Sequence, residues 1–582
     1  MTIQHPLART LVTARTWPIF TDLGVGACCL ALLMAIFHMA AYWLSSPVPA
    51  VAISLSASAL PLYAFYSVGR IFIAYLLSLT FAVAYGYLAA YNPRIETGMI
   101  AVLDILQSIP VLSFLPGVML AMMALIPRHQ LGIEMGSILL IFTGQVWNMA
   151  FSFYSSLKSI PKEMIEASRI YRFSSWQLFW HLELPFSAIG LIWNSIVSVA
   201  GGWFFLIACE MFPLGERSFR LPGLGSYLQT AASANPVNTH ALLWGLAVLI
   251  LIIVATDQLI WRPLVAWSDK FKFEGVESAT RVTSPILTLF QRPSILTRVP
   301  ARAWGALEES VCHRLAGSRE CRIVQPIDDT SAKAGRLLPI FLGVFASLAA
   351  IWGLSRAIQI VHGVTWADIR LLFLGAGATY LRVNATLLIA ALWTVPVGVA
   401  IGLNPKLARF LQPIIQVVAS IPATALFPVL LLGLIRLGGG LGVGSVALML
   451  LGTQWYILFN VIAGASAIPS DLKEAAAVYK FNLWQRWTRL ILPGIFPYLV
   501  TGMITASGGA WNASIIAEYF HIGDKTLKTL GLGAQISAAS DAGNFAILLM
   551  ATVLMATMVV TMNRLVWRRL YNLAETRYKL ES

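Results

Sequence analysis

Arg70, Arg382, Glu210 and Glu518 are the side chains with the most chemistry to offer in this 582-residue chain, because each stands in or beside a long apolar run. Gln145, Asn148, Asn194, Gln454 and Asn512 place amides in similar runs. Ionisable groups at membrane depth are costly, so these residues are candidates for a substrate path. All four charges also lie near the ends of their runs, where a snorkelling Arg or an interfacial Glu is an ordinary anchor. No convergent set of acid, base and nucleophile accompanies them. The phosphate-loop pattern G-x-x-x-x-G-K followed by Ser or Thr, H-E-x-x-H and G-x-S-x-G are all missing, so the chain is read as a non-enzyme that binds no cofactor of its own. Cys312, His313 and Cys321 match no standard zinc spacing, and the five cysteines outline no disulfide framework.

The elements that hold these residues follow from composition. At 58% hydrophobic and 11% charged residues the chain lies outside the range of soluble globular domains. Its apolar residues fall in blocks of roughly 20, the length of helix that crosses a bilayer. The first half is expected to span near 22–45, 70–91, 100–126, 134–157, 187–210 and 241–261. The second half repeats this near 337–359, 382–403, 412–436, 441–464, 494–517 and 544–563, which makes twelve spans of an all-α integral membrane protein. The shorter apolar stretches 51–66 and 367–380 are expected to be separate interfacial or re-entrant helices.

Residues 262–336 carry 12 Lys and Arg against 8 Asp and Glu, together with five prolines, and read as a solvated linker. The division is therefore 1–20 as an N-terminal segment, 21–261 as a first repeat, 262–336 as linker, 337–564 as a second repeat and 565–582 as a tail. Basic residues gather at Arg9 and Arg15, in the 158–172 loop, in the linker and from Arg564 to Lys579. Short cationic loops stay on the cytoplasmic side, so both termini and the linker are placed there, in a cytoplasmic membrane. Topology thus accounts for the net charge of +14, and nucleic acid is not needed as a partner. The N-terminal apolar run is longer than a signal-peptide core and is expected to be retained.

The two halves superimpose in sequence. A shift of 312 pairs Arg70 with Arg382, Gly86 with Gly398, Asn92-Pro93 with Asn404-Pro405 and Ser108-Ile109-Pro110 with Ser420-Ile421-Pro422. A shift of 308 then pairs Trp147 with Trp455, Glu166 with Glu474, Pro185 with Pro493, Gly201 with Gly509 and Glu210 with Glu518. Repeats of six spans enter and leave on the same side, so they are parallel and related by an axis along the membrane normal. The pairs Gly201, Gly202 and Gly508, Gly509 are expected to let helices approach closely.

Between the fourth and fifth spans each half carries a polar segment, Ser159–Pro185 and Ala467–Pro493, expected to form a cytoplasmic helix. Pro161 and Pro469 suit a first turn, and Ser470 or Asp471 suits a cap. Glu166-Ala167-Ser168 before Leu184-Pro185, and Glu474-Ala475-Ala476 before Leu492-Pro493, resemble the EAA loop of bacterial ABC importer permeases, here present twice. The resemblance implies a type I importer fold with both membrane halves fused, and docking of those six residues, with Arg172 and Lys480, onto a separate ATPase. It also implies two ATPase copies, with ATP and Mg held there, and in most relatives an extracytoplasmic substrate-binding protein. Arg172 and Lys480 stand where that family usually has Gly, which makes a left-handed turn after the helix costly.

An Arg opening the second span, Ser-Ile-Pro in the third and Gly-Gly-Ala-Trp with Ala-Glu-Tyr in the fifth resemble the nitrate, sulfonate (taurine) and bicarbonate branch of these permeases, which implies a small oxyanion as substrate. A permease for another small solute, such as an amino acid, is the competing reading. An ion-coupled secondary transporter would be equally pseudo-symmetric, but it has no use for duplicated Glu-Ala-Ala helices.

Overall fold

The computed structural model describes residues 41–45, 51–214, 217–268, 363–436, 440–522 and 525–577, with scattered positions at 34, 39, 270, 355 and 358–361. The expected first spans, near 22–45 and 337–359, fall almost wholly outside these residues. So do positions 1–20, most of the linker, and Cys312, His313 and Cys321.

The first half runs α1 (Leu60–Tyr91), α2 (Pro93–Ser108), a 3-10 turn (Val111–Phe114), α3 (Leu115–Leu125), α4 (Leu131–Lys158), α5 (Lys162–Ile170) and α6 (Ser175–Leu178). It continues through a π turn (Phe179–Glu183) into α7 (Leu184–Glu210), the hairpin β1 (Met211–Leu214) and β2 (Arg217–Arg220), α8 (Leu224–Ser233), α9 (Thr239–Thr256) and α10 (Arg262–Ser268). The second half repeats the order with α11 (Trp366–Leu403), α12 (Pro405–Ser420), α13 (Ala423–Arg436), α14 (Leu441–Ala467), α15 (Ser470–Val478), α16 (Leu483–Arg486) and α17 (Leu492–Ala517). After the hairpin β3 (Tyr519–Ile522) and β4 (Lys525–Lys528) come α18 (Leu532–Asp541), α19 (Phe545–Met562) and α20 (Arg568–Arg577).

Among the described residues eight helices are long and apolar enough to cross a membrane. They are the expected second, fourth, fifth and sixth spans of each half. The expected third spans are not single helices. Pro110 and Pro422 hold the residues before them, Ile109 and Ile421, in extended backbone with ψ 126° and 121°, because a proline ring excludes the helical region from its predecessor. In the second half the two pieces meet at 84°.

The separate interfacial helices are also corrected. Stretch 367–380 is the first part of the 38-residue α11, and 57–66 runs unbroken into α1. Nothing interrupts either apolar run, and α11 starts only where Thr365 and Asp368 form a reciprocal capping box. At the other end Asn92-Pro93 and Asn404-Pro405 stop α1 and α11, and Asn404 accepts from the backbone N–H of Lys406 and Leu407 to start α12. The helix past position 261 does not stop where the linker was expected but continues to Ser268.

The chain forms two compact units. The first takes the end of α4, all of α5 and α6, the π turn, the start of α7 and the segment from Thr256 through α10. The second holds the remainder of the first half and all described residues of the second. Within it α1 lies on α4 and α11 on α14 through equivalent glycines. A Cβ at Gly86 would stand 2.9 Å from Phe153, and one at Gly398 2.8 Å from Val461. Around the second contact Ile401, Leu458 and Ile462 are buried with Trp393, Leu407, Leu411 and Trp455 packed against them. The halves also touch in this unit, where Thr552 donates to the Ser113 carbonyl at 3.1 Å.

Candidate functional site: two exposed helices and two charge clasps

α5 and α15 are built alike. Each follows a proline in extended conformation, Pro161 at ψ 140° and Pro469 at ψ 144°, which occupies the N-cap; neither Ser470 nor Asp471 does. Each ends in a Schellman turn. Phe173 N–H donates to the Ser168 carbonyl and Arg172 N–H to the Arg169 carbonyl, both at 3.0 Å; Phe481 and Lys480 do the same to Ala476 and Ala477. The residue in the left-handed position is Arg172 at φ 53° and Lys480 at φ 49°, the two non-glycine residues with positive φ among those described. A non-glycine there costs about 1–2 kcal/mol, and it is found twice at the same register. The next helix then starts at once, because Ser174 with Gln177 and Asn482 with Gln485 form capping boxes.

The faces of these helices divide the same way. Ser168 and Ala476 are buried, and their small side chains suit that position. Glu166 and Glu474 are exposed, while Ala167 and Ala475 are half-buried. Beyond them the helix tips present apolar side chains to the outside, with Ile170 80% and Val478 77% exposed next to Tyr171 and Tyr479. A single exposed apolar residue is ordinary, but here a matched pair stands exposed at each tip.

Elsewhere in each repeat the charged residues come together. Arg70 is fully buried and grips Glu134 with two parallel bonds, Nε to Oε2 at 2.6 Å and Nη2 to Oε1 at 2.7 Å. Its Nη1 reaches Glu210 Oε1 at 2.7 Å and the Pro222 carbonyl at 3.0 Å. Glu210 also accepts from Ser67 Oγ at 2.6 Å and from Gly225 N–H at 2.6 Å, so the N-terminus of α8 points at a carboxylate.

The second half rebuilds the glutamate side of this clasp. Arg382 Nη1 donates to Glu518 Oε1 at 3.0 Å and to the Leu530 carbonyl at 2.6 Å. Glu518 accepts from Thr379 Oγ1 and from Gly533 N–H at 3.0 Å, and Leu532 N–H donates to Thr379 Oγ1 just as Leu224 N–H donates to Ser67 Oγ. Gly223 and Gly531 have ordinary extended backbone, but a Cβ at either would run into the buried glutamate, so the close approach requires glycine.

Interfacial anchoring is therefore corrected for Arg70, Glu210 and Glu518, which are buried in internal clasps, and the geometry does not place Arg70 on a free surface. Other expected residues scatter. Gln145 is buried against Gly202, Asn148 accepts from Gln107 Nε2 at 3.2 Å, and Asn512 donates to its own helix at Gly508. Gln454 is buried, and Asn194 is half-buried on α7. Of the four glycines expected at helix contacts, Gly202 and Gly509 pack closely, but Gly201 and Gly508 have open space at the Cβ position. Glu134, Ser67, Thr379 and Thr529 were not singled out from the sequence. Ser67 with Thr379 was findable from the 312 shift, whereas Glu134 has no counterpart acid to flag it.

Comparison with known proteins agrees with this duplication. Over 195 residues, 31% of this chain and 68% of the relative, the chain is 28% identical to the nitrate import permease protein NrtB of Synechococcus elongatus. It is 30% identical over 141 residues to the bicarbonate transport system permease protein CmpB of the same species, covering 24% of this chain and 49% of that protein. To the taurine transport system permease protein TauC of Escherichia coli it is 27% identical over 165 residues, covering 28% and 56%. The matches thus span about half to two thirds of these relatives. The model of one family matches twice, at residues 82–260 and 394–575, across both α5 and α15. With its two repeats of membrane helices, the chain belongs to the binding-protein-dependent transport system inner membrane component family.

Proposed function

We propose that this chain is the permease of an ATP-driven importer, with both membrane halves in one polypeptide and a small oxyanion of the nitrate, bicarbonate or sulfonate type as cargo. The observation that carries the coupling part is the pair of exposed helices α5 and α15, each closed by a strained basic residue and each tipped with uncovered apolar side chains. In this reading Glu166, Ala167, Ser168 and Arg172 meet one copy of a separate ATPase, and Glu474, Ala475, Ala476 and Lys480 meet the other. ATP and Mg belong to that partner, and both termini and the coupling helices face the cytoplasm. The names of the relatives support the anion, and their family supports delivery by an extracytoplasmic binding protein.

The test is the double variant Glu166→Arg, Glu474→Arg. Both side chains are exposed, so stability should change by no more than about 0.5 kcal/mol. Charge reversal against a complementary groove costs several kcal/mol in association, so ATPase co-purification and ATP-dependent uptake of labelled nitrate, bicarbonate or taurine should both be lost. Normal uptake at normal expression would remove these helices from the coupling role.

A further inference from the structure

The two clasps differ most at one acidic position, and that difference leaves part of an arginine uncovered. The 308 shift pairs Gly136 with Gly444, Gly144 with Gly452 and Trp147 with Trp455 along α4 and α14, so the counterpart of Glu134 is Gly442. In the first half the Glu134 carboxylate covers Nε and Nη2 of Arg70, and the arginine side chain is 1% exposed. In the second half Arg382 is 16% exposed. Its Nη2 has only the Thr529 hydroxyl at 2.9 Å, and among the described residues Nε meets no acceptor. Among the described residues, a Cβ on Gly442 would find Thr529 Oγ1 at 4.0 Å as its single neighbour.

We infer that the Nε and Nη2 edge of Arg382, with Thr529 and the opening at Gly442, is a binding site for a small oxyanion; this rests on the import reading above and names where the cargo first docks. The first half carries the guest as part of its own chain. There a carboxylate lies bidentate on the guanidinium, the geometry a nitrate, bicarbonate or sulfonate group reproduces with two of its oxygens. Formal charge agrees. Arg70 serves two carboxylates and Arg382 serves one, so a monoanion on Arg382 restores the balance of the first clasp. The exposed Lys528 precedes Thr529 in the chain and adds positive potential. The site sits at the start of the 27-residue α14, so it is separated from α15 by about 40 Å of helix, at the end of the path farthest from the proposed ATPase contact.

The experiment measures thermal stabilisation of the full chain in detergent by sodium nitrate, bicarbonate and taurine, with chloride at equal ionic strength as reference, for the wild type and Gly442→Glu. Gly442 is exposed at a helix start where an acid is favoured, so the substitution folds and places a tethered carboxylate where Glu134 stands in the first half. At least one oxyanion should stabilise the wild type beyond chloride, and Gly442→Glu should weaken that effect at least tenfold while raising the melting temperature without anion. Gly442→Gln, of the same size but without charge, should weaken it less than Gly442→Glu. No oxyanion effect in the wild type, or one unchanged in Gly442→Glu, overturns the site. Stabilisation by phosphatidylglycerol in nanodiscs but not by free oxyanions would give the arginine to lipid headgroups and overturn the cargo assignment. Uptake assays separate this from the broader reading: oxyanion uptake intact in Gly442→Glu sinks the site alone, whereas a wild type that moves no oxyanion sinks the import reading.

Discussion

The clasp around Arg70 is closed on all sides by protein, whereas the clasp around Arg382 keeps the equivalent carboxylate and carbonyl partners but has the Thr529 hydroxyl in place of the second acid. Two copies of one arrangement have thus diverged around the guanidinium, most of all at Glu134 against Gly442, and also at Leu221 against Thr529. The first copy is a structural fastening of α1, α4 and α7. The second fastens α11 to the turn after α17 and still has hydrogen-bonding capacity to spare. A fused permease has this freedom because each half is coded separately within one chain, so one half can stay rigid while the other specialises.

The largest effect should come from breaking the closed clasp. Arg70→Ala leaves Glu134 and Glu210 buried without their shared counter-charge, a loss of about 3–5 kcal/mol. Fluorescence-detected size exclusion after a heating series should show little folded protein. Arg382→Ala leaves one acid, Glu518, still held by Thr379 and two backbone N–H groups, and should cost about 1–3 kcal/mol. Equal damage from the two would erase the contrast between the halves.

A smaller and symmetrical effect is expected where the copies agree. Gly223→Ala and Gly531→Ala each push a methyl group against a buried glutamate, at about 1–3 kcal/mol by overpacking, and melting curves should fall by similar amounts. The smallest effect has the opposite sign. Arg172→Gly or Lys480→Gly relieves a left-handed backbone and should raise stability by about 1 kcal/mol each, read from the melting temperature. If transport falls while stability rises, the two basic residues are kept for the ATPase contact rather than for the turn.

Much of the architecture was legible from residue order. Periodic apolar blocks mark the eight long helices, and the 308 register marks α5 and α15 as equivalents. The third element of each half was misjudged because hydropathy averages over a window and passes through Ile109-Pro110 and Ile421-Pro422, although the local rule for the residue before proline was available. The hairpins β1–β2 and β3–β4 were missed for a related reason. Four-residue strands between a long helix and a glycine turn leave no period to detect.

By itself the sequence determined the solvent the chain lives in, its duplication and the two polar helices, because each of these depends on composition or spacing along the chain. Only the tertiary structure decided what the charges do. Arg70 and Arg382 are matched in register, yet one is sealed and the other is open. Their difference is set by Glu134 and Gly442, 64 and 60 positions away, which only packing brings to the guanidinium. Likewise, left-handed turns at Arg172 and Lys480 run against the preference of their residue types, and hydrogen bonds from the following Phe173 and Phe481 hold them. Local propensity costs about a kilocalorie there and is overruled by a cooperative turn.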